Sequence, residues 1–370
     1  MAEKSRFFAL DLLRGVAILL VLGRHNSLVI KSPADLQLWN PFDLLFSAGW
    51  AGVDIFFVLS GFLVSGLLFL EYRARGTVNV GRFLGRRAMR ILPPYYFALI
   101  IVGGSSLILG GQGWTPKIFL EHLILIQNYT SLRGNFFQSW SLAVEEHFYL
   151  FLAGLFWIIS VKPRVGKKIL NRLPLLGMVL GVLVIGMRLR RSVVTPYHWE
   201  HYLAPTHLRF DSLLAGVVLA YYYHFQNRLF MTFAKEYRLA LGIIGAAFFS
   251  VACVVGQESI FMRTYGVTLL YSGAAMGMVA LLGCDFSKPS RVLKLLAAIG
   301  VNSYSIYLWH IPVVELVKWL GVSSQYYLAS ALYWVGSLLV GLLMARWIES
   351  PAIQARDKVF PAIQVAGRSS

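Results

Sequence analysis

Apolar residues gather along the chain into about ten runs, near positions 7–29, 49–70, 91–111, 144–161, 173–187, 208–224, 238–256, 264–284, 295–317 and 326–347. Charged residues cluster between the runs and are scarce within them. A helix rises about 1.5 Å per residue, so most of these runs match a hydrocarbon core about 30 Å thick. The pattern predicts an all-α, polytopic membrane bundle of about ten transmembrane helices. Residues 1–351 read as one integral-membrane domain and 352–370 as a short tail. No internal repeat or low-complexity tract divides the chain.

Polar interruptions of the runs carry the chemistry. Asp11 and Arg14 break the first run, which closes on Arg24-His25-Asn26. Ten residues separate Arg14 from His25. An 11-residue step turns a helix by roughly 1100°, about three turns and 20°, and advances it roughly 16 Å. Arg14 and His25 therefore share one face, the cation in the inner half and the imidazole near one end. Snorkelling, or pairing with Asp11 three residues back, would explain Arg14 alone. Two aligned ionisable groups cost several kcal/mol in hydrocarbon unless they face protein or water, and point to a functional face. The basic start, Met1 to Arg6, resembles a signal peptide. Asp11, Arg14 and the lack of a small-residue cleavage site predict a retained helix instead.

Composition agrees with the pattern. The 370-residue chain is 57% hydrophobic and 14% charged, with mean hydropathy +0.64, too little charge to cover a soluble surface. The formal charge of +17 raises nucleic acid as a partner, but its placement excludes that reading. With the N-terminus inside, roughly two thirds of the Lys and Arg fall in inner segments, among them Arg73, Arg75, Arg82, Arg86, Arg87, Arg90, Lys162, Arg164, Lys167, Lys168 and Arg172. The positive-inside rule accordingly puts both termini in the cytoplasm. Cys253 and Cys284 lie in predicted spans without metal spacing and read as packing residues. There is no Walker loop, no GxGxxG and no zinc-type cluster, so nucleotide hydrolysis and a metal site have no support.

Several segments offer both a structural and a chemical role. Asp54, in Gly52-Val53-Asp54-Ile55-Phe56-Phe57, would cap or complement a helix start, or act on the outer side. Arg87 and Arg90 are three apart and face one way; guanidinium forks suit phosphates, whether of a cytoplasmic ligand or of lipid headgroups. Trp140-Ser141-Leu142-Ala143-Val144-Glu145-Glu146-His147 puts acids in a first turn, where they favour the dipole or orient an imidazole. The loop at 188–207 carries Tyr197, His198, Trp199, His201, Tyr202 and His207, and reads as a hydrated aromatic loop near an acceptor. The first outer loop, with Pro33, Trp39 and Pro41, suits an interfacial excursion. Arg209 and Asp211 either pair with neighbouring helices or serve the site, and Tyr307 and His310 share a face. Pro312 frees a backbone carbonyl and is expected to kink its helix.

This topology gathers His25, Asp54, Glu145, Glu146, Arg209, Asp211 and His310 in the outer half, with Arg14 deeper and the arginine cluster at the cytoplasm. A His beside a carboxylate is a suitable general base for a hydroxyl, and fixed cations stabilise an oxyanion. A polar path from a phosphate-bearing cytoplasmic ligand to an outer His follows.

In this order, the Arg14–His25 spacing, Gly52 to Gly61, Arg87-Ala88-Met89-Arg90, Trp140 to Tyr149, Arg209-Phe210-Asp211 and Tyr304 to His310 resemble the membrane acyltransferase-3 family over about residues 7–351. The resemblance implies an O-acyltransferase moving an acyl group, commonly acetyl, from cytoplasmic acyl-CoA to a hydroxyl of a glycan or glycosylated lipid or metabolite. The acceptor would lie at the outer face of a bacterial inner membrane. Acyl-CoA, acetyl-CoA foremost, would be a co-substrate with no tightly bound cofactor, and membrane lipids would surround the chain. His25 would be the base or relay, Glu145 or Glu146 its support, and Arg14, Arg87 and Arg90 the donor site. Asp54, Trp140, Ser141, Arg209, Asp211, Tyr307 and His310 would serve the acceptor or support the site. Some relatives carry an appended extracytoplasmic hydrolase-like domain, which this chain is expected to lack. Direct transfer is favoured over a covalent His intermediate, because a thioester is already activated. The rival reading is a transporter of an anionic or acylated solute, for which the paired repeats and interrupted helices are missing. A lipid-binding scaffold would leave the outer His and carboxylates without a role.

Overall fold

The computed structural model describes residues 2–26, 47–108, 113–130, 132, 134–194 and 198–361, and among them every regular element is helical. The expected loop with Pro33, Trp39 and Pro41 lies outside these residues, as does Tyr197. Helix α1 is Ala2–Asn26, α2 is Gly52–Arg75 and α3 is Val80–Leu99. Next come α4 (Trp140–Val161), α5 (Leu173–Val194) and α6 (Phe210–Phe225). Then α7 (Asn227–Glu236) meets α8 (Arg238–Val254) at 77°. After α9 (Val267–Leu282), α10 (Arg291–Val301) meets α11 (Ser303–Trp319) at 75°. The chain closes with α12 (Tyr326–Met344) and α13 (Ser350–Val359).

Among the described residues, six segments are long and apolar enough to cross a membrane, or up to eight if each bent pair counts as one. The two remaining expected spans coincide with α1, interrupted by Asp11 and Arg14, and α6, only 16 residues long. The protein is an integral membrane protein by this length and apolarity.

Local chemistry fixes the helix ends. The Asn79 side chain accepts from the Arg82 backbone N–H at 2.9 Å and starts α3; Gly76, at φ 72°, ends α2 by donating to the Tyr72 carbonyl. The sharp bend before α11 falls at Asn302, and Pro312 lies inside the helix that follows. Pro312 cannot donate to the Leu308 carbonyl, and Gln138 Nε2 on the neighbouring segment fills that vacancy at 3.1 Å. The freed carbonyl thus ties α11 to the start of α4.

Helix α2 is the buried centre, whereas α5 exposes Leu175, Met178, Val182 and Leu183 as a lipid-facing strip. Small residues bring backbones together around α2, the usual basis of close packing in lipid. A Cβ on Gly61 would strike the Leu213 carbonyl of α6, and one on Gly216 the Val58 carbonyl of α2. Gly52 sits against the Ala17 carbonyl of α1 in the same way. The expected tail begins as α13, which docks on α3: Arg86 pairs with Asp357 at 3.0 Å and bonds the Phe360 carbonyl.

Candidate active site

Two cavities lie along α1, α2, α4 and α11, named inner and outer for the Arg14 and His25 ends of α1. The inner one, about 390 Å³, is lined by Arg14 of α1, Ser60 of α2, Arg87 and Arg90 of α3, and Glu145 and Tyr149 of α4. Its basic wall is a sorted cluster. Arg82 is held by Glu71 at 3.0 Å and Arg86 by α13, while Arg87 and Arg90 line the cavity. Arg14 pairs with Asp11 at 2.7 Å, as the spacing allows, and still lines the cavity. Arg87 stands over the Tyr149 ring at 5.7 Å. Three cations on one concave wall can hold an anionic ligand of phosphate size.

Glu145 closes a triangle there. Tyr149 donates to its Oε2 at 2.5 Å and Ser60 at 3.1 Å, and the two hydroxyls are 2.6 Å apart. Tyr149 follows Glu145 by four residues, so both share a helix face.

The outer cavity, about 450 Å³, is lined by His25, Trp50, Gln138, Trp140, Trp199, Glu200, Arg209 and Tyr307. Its imidazole is not alone. His25 Nδ1 lies 3.0 Å from His310 Nε2, and His310 Nδ1 lies 2.6 Å from the Tyr307 carbonyl. A carbonyl only accepts, so His310 carries its proton on Nδ1 and, in the neutral ring, offers Nε2 as an acceptor. His25 Nδ1–H then donates to it, which leaves His25 Nε2 as the basic nitrogen of the pair. The tautomer is assigned from partners whose roles are fixed.

Behind this cavity run two buried ion pairs. Arg209 meets Asp54 at 2.7 Å, and Arg188 meets Asp211 at 2.6 Å while also donating from Nε to the Leu208 carbonyl at 2.9 Å. Ser212 adds a 3.3 Å contact to Asp54. Arg209 keeps Nε and Nη1 without a hydrogen bond among the described residues and lines the outer cavity. Asp54 is therefore a partner in an inter-helix ion pair rather than the cap of α2, and Asp211 belongs to the scaffold around Arg188.

A family model described as an acyltransferase domain matches residues 7–349. The chain belongs to the acyltransferase-3 family. The O-acetyltransferase OatA of Staphylococcus aureus (strain NCTC 8325 / PS 47) is 28% identical, over 85% of this chain and 54% of that protein. A second Staphylococcus aureus protein (strain COL), provisionally named an O-acetyltransferase, is 26% identical over 94% of this chain and 58% of its own length. The chain thus spans a little over half the length of these curated relatives. No solved structure matches.

Within this family member, the sequence-derived candidates divide by depth. Arg14, Arg87, Arg90, Glu145 and Ser141 line the inner cavity; His25, Trp140 and Arg209 line the outer one; Tyr307 lines both. His310 stands directly behind His25. Neither Glu145 nor Glu146, expected to support His25, bonds to it among the described residues. Glu145 faces the inner cavity and is engaged by Ser60 and Tyr149, and Glu146 buries Oε1 without a partner among the described residues. Ser141 serves no cap of α4; its hydroxyl meets the Tyr307 hydroxyl at 2.8 Å.

The aromatic loop contributes Trp199 and Glu200 to the outer wall, but Tyr202 is buried between Arg191 and Arg263. Among the described residues no group of three or more His, Cys, Asp or Glu converges on a metal position. Sequence reasoning passed over Ser60, Gln138, Arg188 and Glu349, whose carboxylate accepts from Ser305 at 2.6 Å beside Arg14 and Arg90. A carboxylate ending an apolar run before Ser350-Pro351 was the available signal for Glu349.

Proposed function

We propose that this chain is an acyl-CoA-dependent O-acyltransferase. It moves an acyl group, acetyl foremost, from cytoplasmic acyl-CoA to a hydroxyl of a glycan or glycosylated lipid or metabolite. In this account ten helices span a bacterial inner membrane with both termini inside; α1 and α6 complete the eight spans. Arg87 and Arg90 take CoA phosphates, and Arg14 lines the donor's path. The observation that carries the proposal is the stacking of a three-arginine cavity beneath a cavity holding a paired imidazole.

The chemistry needs one base and a site for one negative charge. The acceptor hydroxyl gives its proton to His25 Nε2 while its oxygen bonds to the thioester carbonyl carbon. Charge collects on the former carbonyl oxygen, for which Arg209 supplies a fixed cation at the cavity wall. The C–S bond then breaks, the proton passes from His25 to sulfur, and CoA leaves as the thiol. His310 steadies the imidazolium by accepting from Nδ1–H, as the third member of a catalytic triad does. Trp50, Trp140 and Trp199 offer faces for a sugar.

Binding separates donor from chemistry. Purified protein should bind a thioether analogue of acetyl-CoA, lose it in the Arg87→Ala/Arg90→Ala variant, and keep it in His25→Ala. Radiolabelled acetyl-CoA should leave no label on protein in the absence of acceptor; retained label would contradict direct transfer. Failure of wild type to bind the analogue would remove the donor assignment.

A further inference from the structure

The inner and outer cavities share two lining residues among those described, Val53 and Tyr307. The boundary falls at one level on every helix that lines both. On α1 it lies between Arg14 and Val21; on α4 it lies between Trp140 and Ser141. On α2 it passes through Val53, and on α11 through Tyr307. Between α1 and α2 this level is sealed by backbone, because Gly52 packs directly on the Ala17 carbonyl. The two spaces meet at this pair of side chains.

Both side chains are close to buried, Val53 at 8% and Tyr307 at 7% exposure, so little open space adjoins either. Tyr307 is also held in place. Its hydroxyl donates to the Gln138 carbonyl at 2.6 Å and meets Ser141 Oγ at 2.8 Å, and Phe56 stands edge-on to its ring at 6.3 Å. Gln138 in turn is fixed by the Leu308 carbonyl that Pro312 leaves open. A large ring anchored from three sides is a rigid wall, whereas Val53 is a small one.

We propose that Val53 and Tyr307 form a constriction that holds the acyl group with its carbonyl facing His25, and that the room in it sets the acyl chain length the enzyme accepts. The inference rests on the acyl-CoA reading above. The thioester carbon must meet an acceptor oxygen in the outer cavity while the CoA phosphates stay on the arginines of the inner one. The reacting acyl group then lies at the level of Val53 and Tyr307. An acetyl group needs little room there; each added methylene must fit against the same two side chains. Selectivity of this kind is steep, since one methylene in a closely fitted pocket changes kcat/KM by about 10- to 200-fold.

Purified protein in nanodiscs, supplied with acetyl-, butyryl- and hexanoyl-CoA and a cell-envelope glycan extract, gives the test through CoA thiol release. Val53→Ala should raise the butyryl-to-acetyl ratio of kcat/KM by about tenfold, and Val53→Leu should lower it. Tyr307→Phe keeps the ring and should leave the ratio within about twofold, while Tyr307→Ala should raise it. A fold defect lowers all donors together and leaves the ratio alone, so the ratio isolates the constriction. Ratios unchanged across the series, with wild type turning over acetyl-CoA, would overturn the proposal. Wild type that is folded yet releases no thiol from any donor would overturn the acyl-CoA reading first and the constriction with it.

Discussion

His310 Nε2 stands 3.0 Å from His25 Nδ1, across 285 residues of chain, and its other nitrogen is pinned by the Tyr307 carbonyl. The arrangement fixes which nitrogen of His25 is basic. A side chain that still accepts at the Nε2 position should preserve part of that order. His310→Gln should therefore keep more activity than His310→Leu, which should lose about 10²- to 10⁴-fold in kcat. Equal kcat for the two variants, at equal thermal stability, would remove His310 from the base.

The four arginines of α3 should separate by function. Arg87→Ala and Arg90→Ala each remove a charge-assisted bond of about 1.5–3 kcal/mol, so KM for acyl-CoA should rise about 10- to 100-fold. Arg86 holds Asp357 and the Phe360 carbonyl instead, and Arg86→Ala should loosen α13 with little change in KM. Steady-state kinetics with limited proteolysis of the C-terminal helix reads both.

The Asp54–Arg209 pair is buried at both ends. Removing one partner strands a charge at a cost of about 3–5 kcal/mol, whereas replacing both with apolar residues costs much less. Thermal unfolding in detergent should show Asp54→Ala well below wild type and Asp54→Leu/Arg209→Met recovering most of the loss. A double variant as unstable as the single one would show that the pair does not act as a unit.

His122 lies outside the spans, in the helix Pro116–Leu123, and burial pushes its pKa down from the ordinary value. Its Nδ1 donates to the Ile118 carbonyl at 2.9 Å, and Nε2 is buried without a partner among the described residues. With the folded pKa depressed, the unfolded chain takes up the proton first as pH falls. Stability from this group is complete above the unfolded value of about 6.5 and declines below it. Unfolding midpoints between pH 7.5 and 5.5 should drop for wild type and drop less for His122→Gln.

Much of this architecture is written in local spacing. The alignment of Arg14 with His25, the shared direction of Arg87 and Arg90, and the carbonyl freed by Pro312 all follow from helix geometry. Periodicity sees only three or four residues along one helix, and so it missed the partner of His25. Glu145 and Glu146 are predicted at the same depth as His25, yet α4 passes from the outer cavity to the inner one between Trp140 and Ser141, so Glu145 lies deeper. Glu145 turns to the inner cavity, where Ser60 and Tyr149 engage it. Asp54 and Arg209 were readable as polar residues in apolar runs, but their pairing across α2 and α6 depends on the glycine contact that brings those helices together.

The most direct test of the account is thiol release from acetyl-CoA by purified wild type beside His25→Ala, Arg14→Ala and Arg87→Ala/Arg90→Ala, with a cell-envelope glycan extract as acceptor. The account predicts turnover by wild type and none by His25→Ala. It also predicts that the arginine variants need about 10- to 100-fold more acetyl-CoA. Turnover by His25→Ala at the wild-type rate, or none by wild type over a range of extracts, would contradict it.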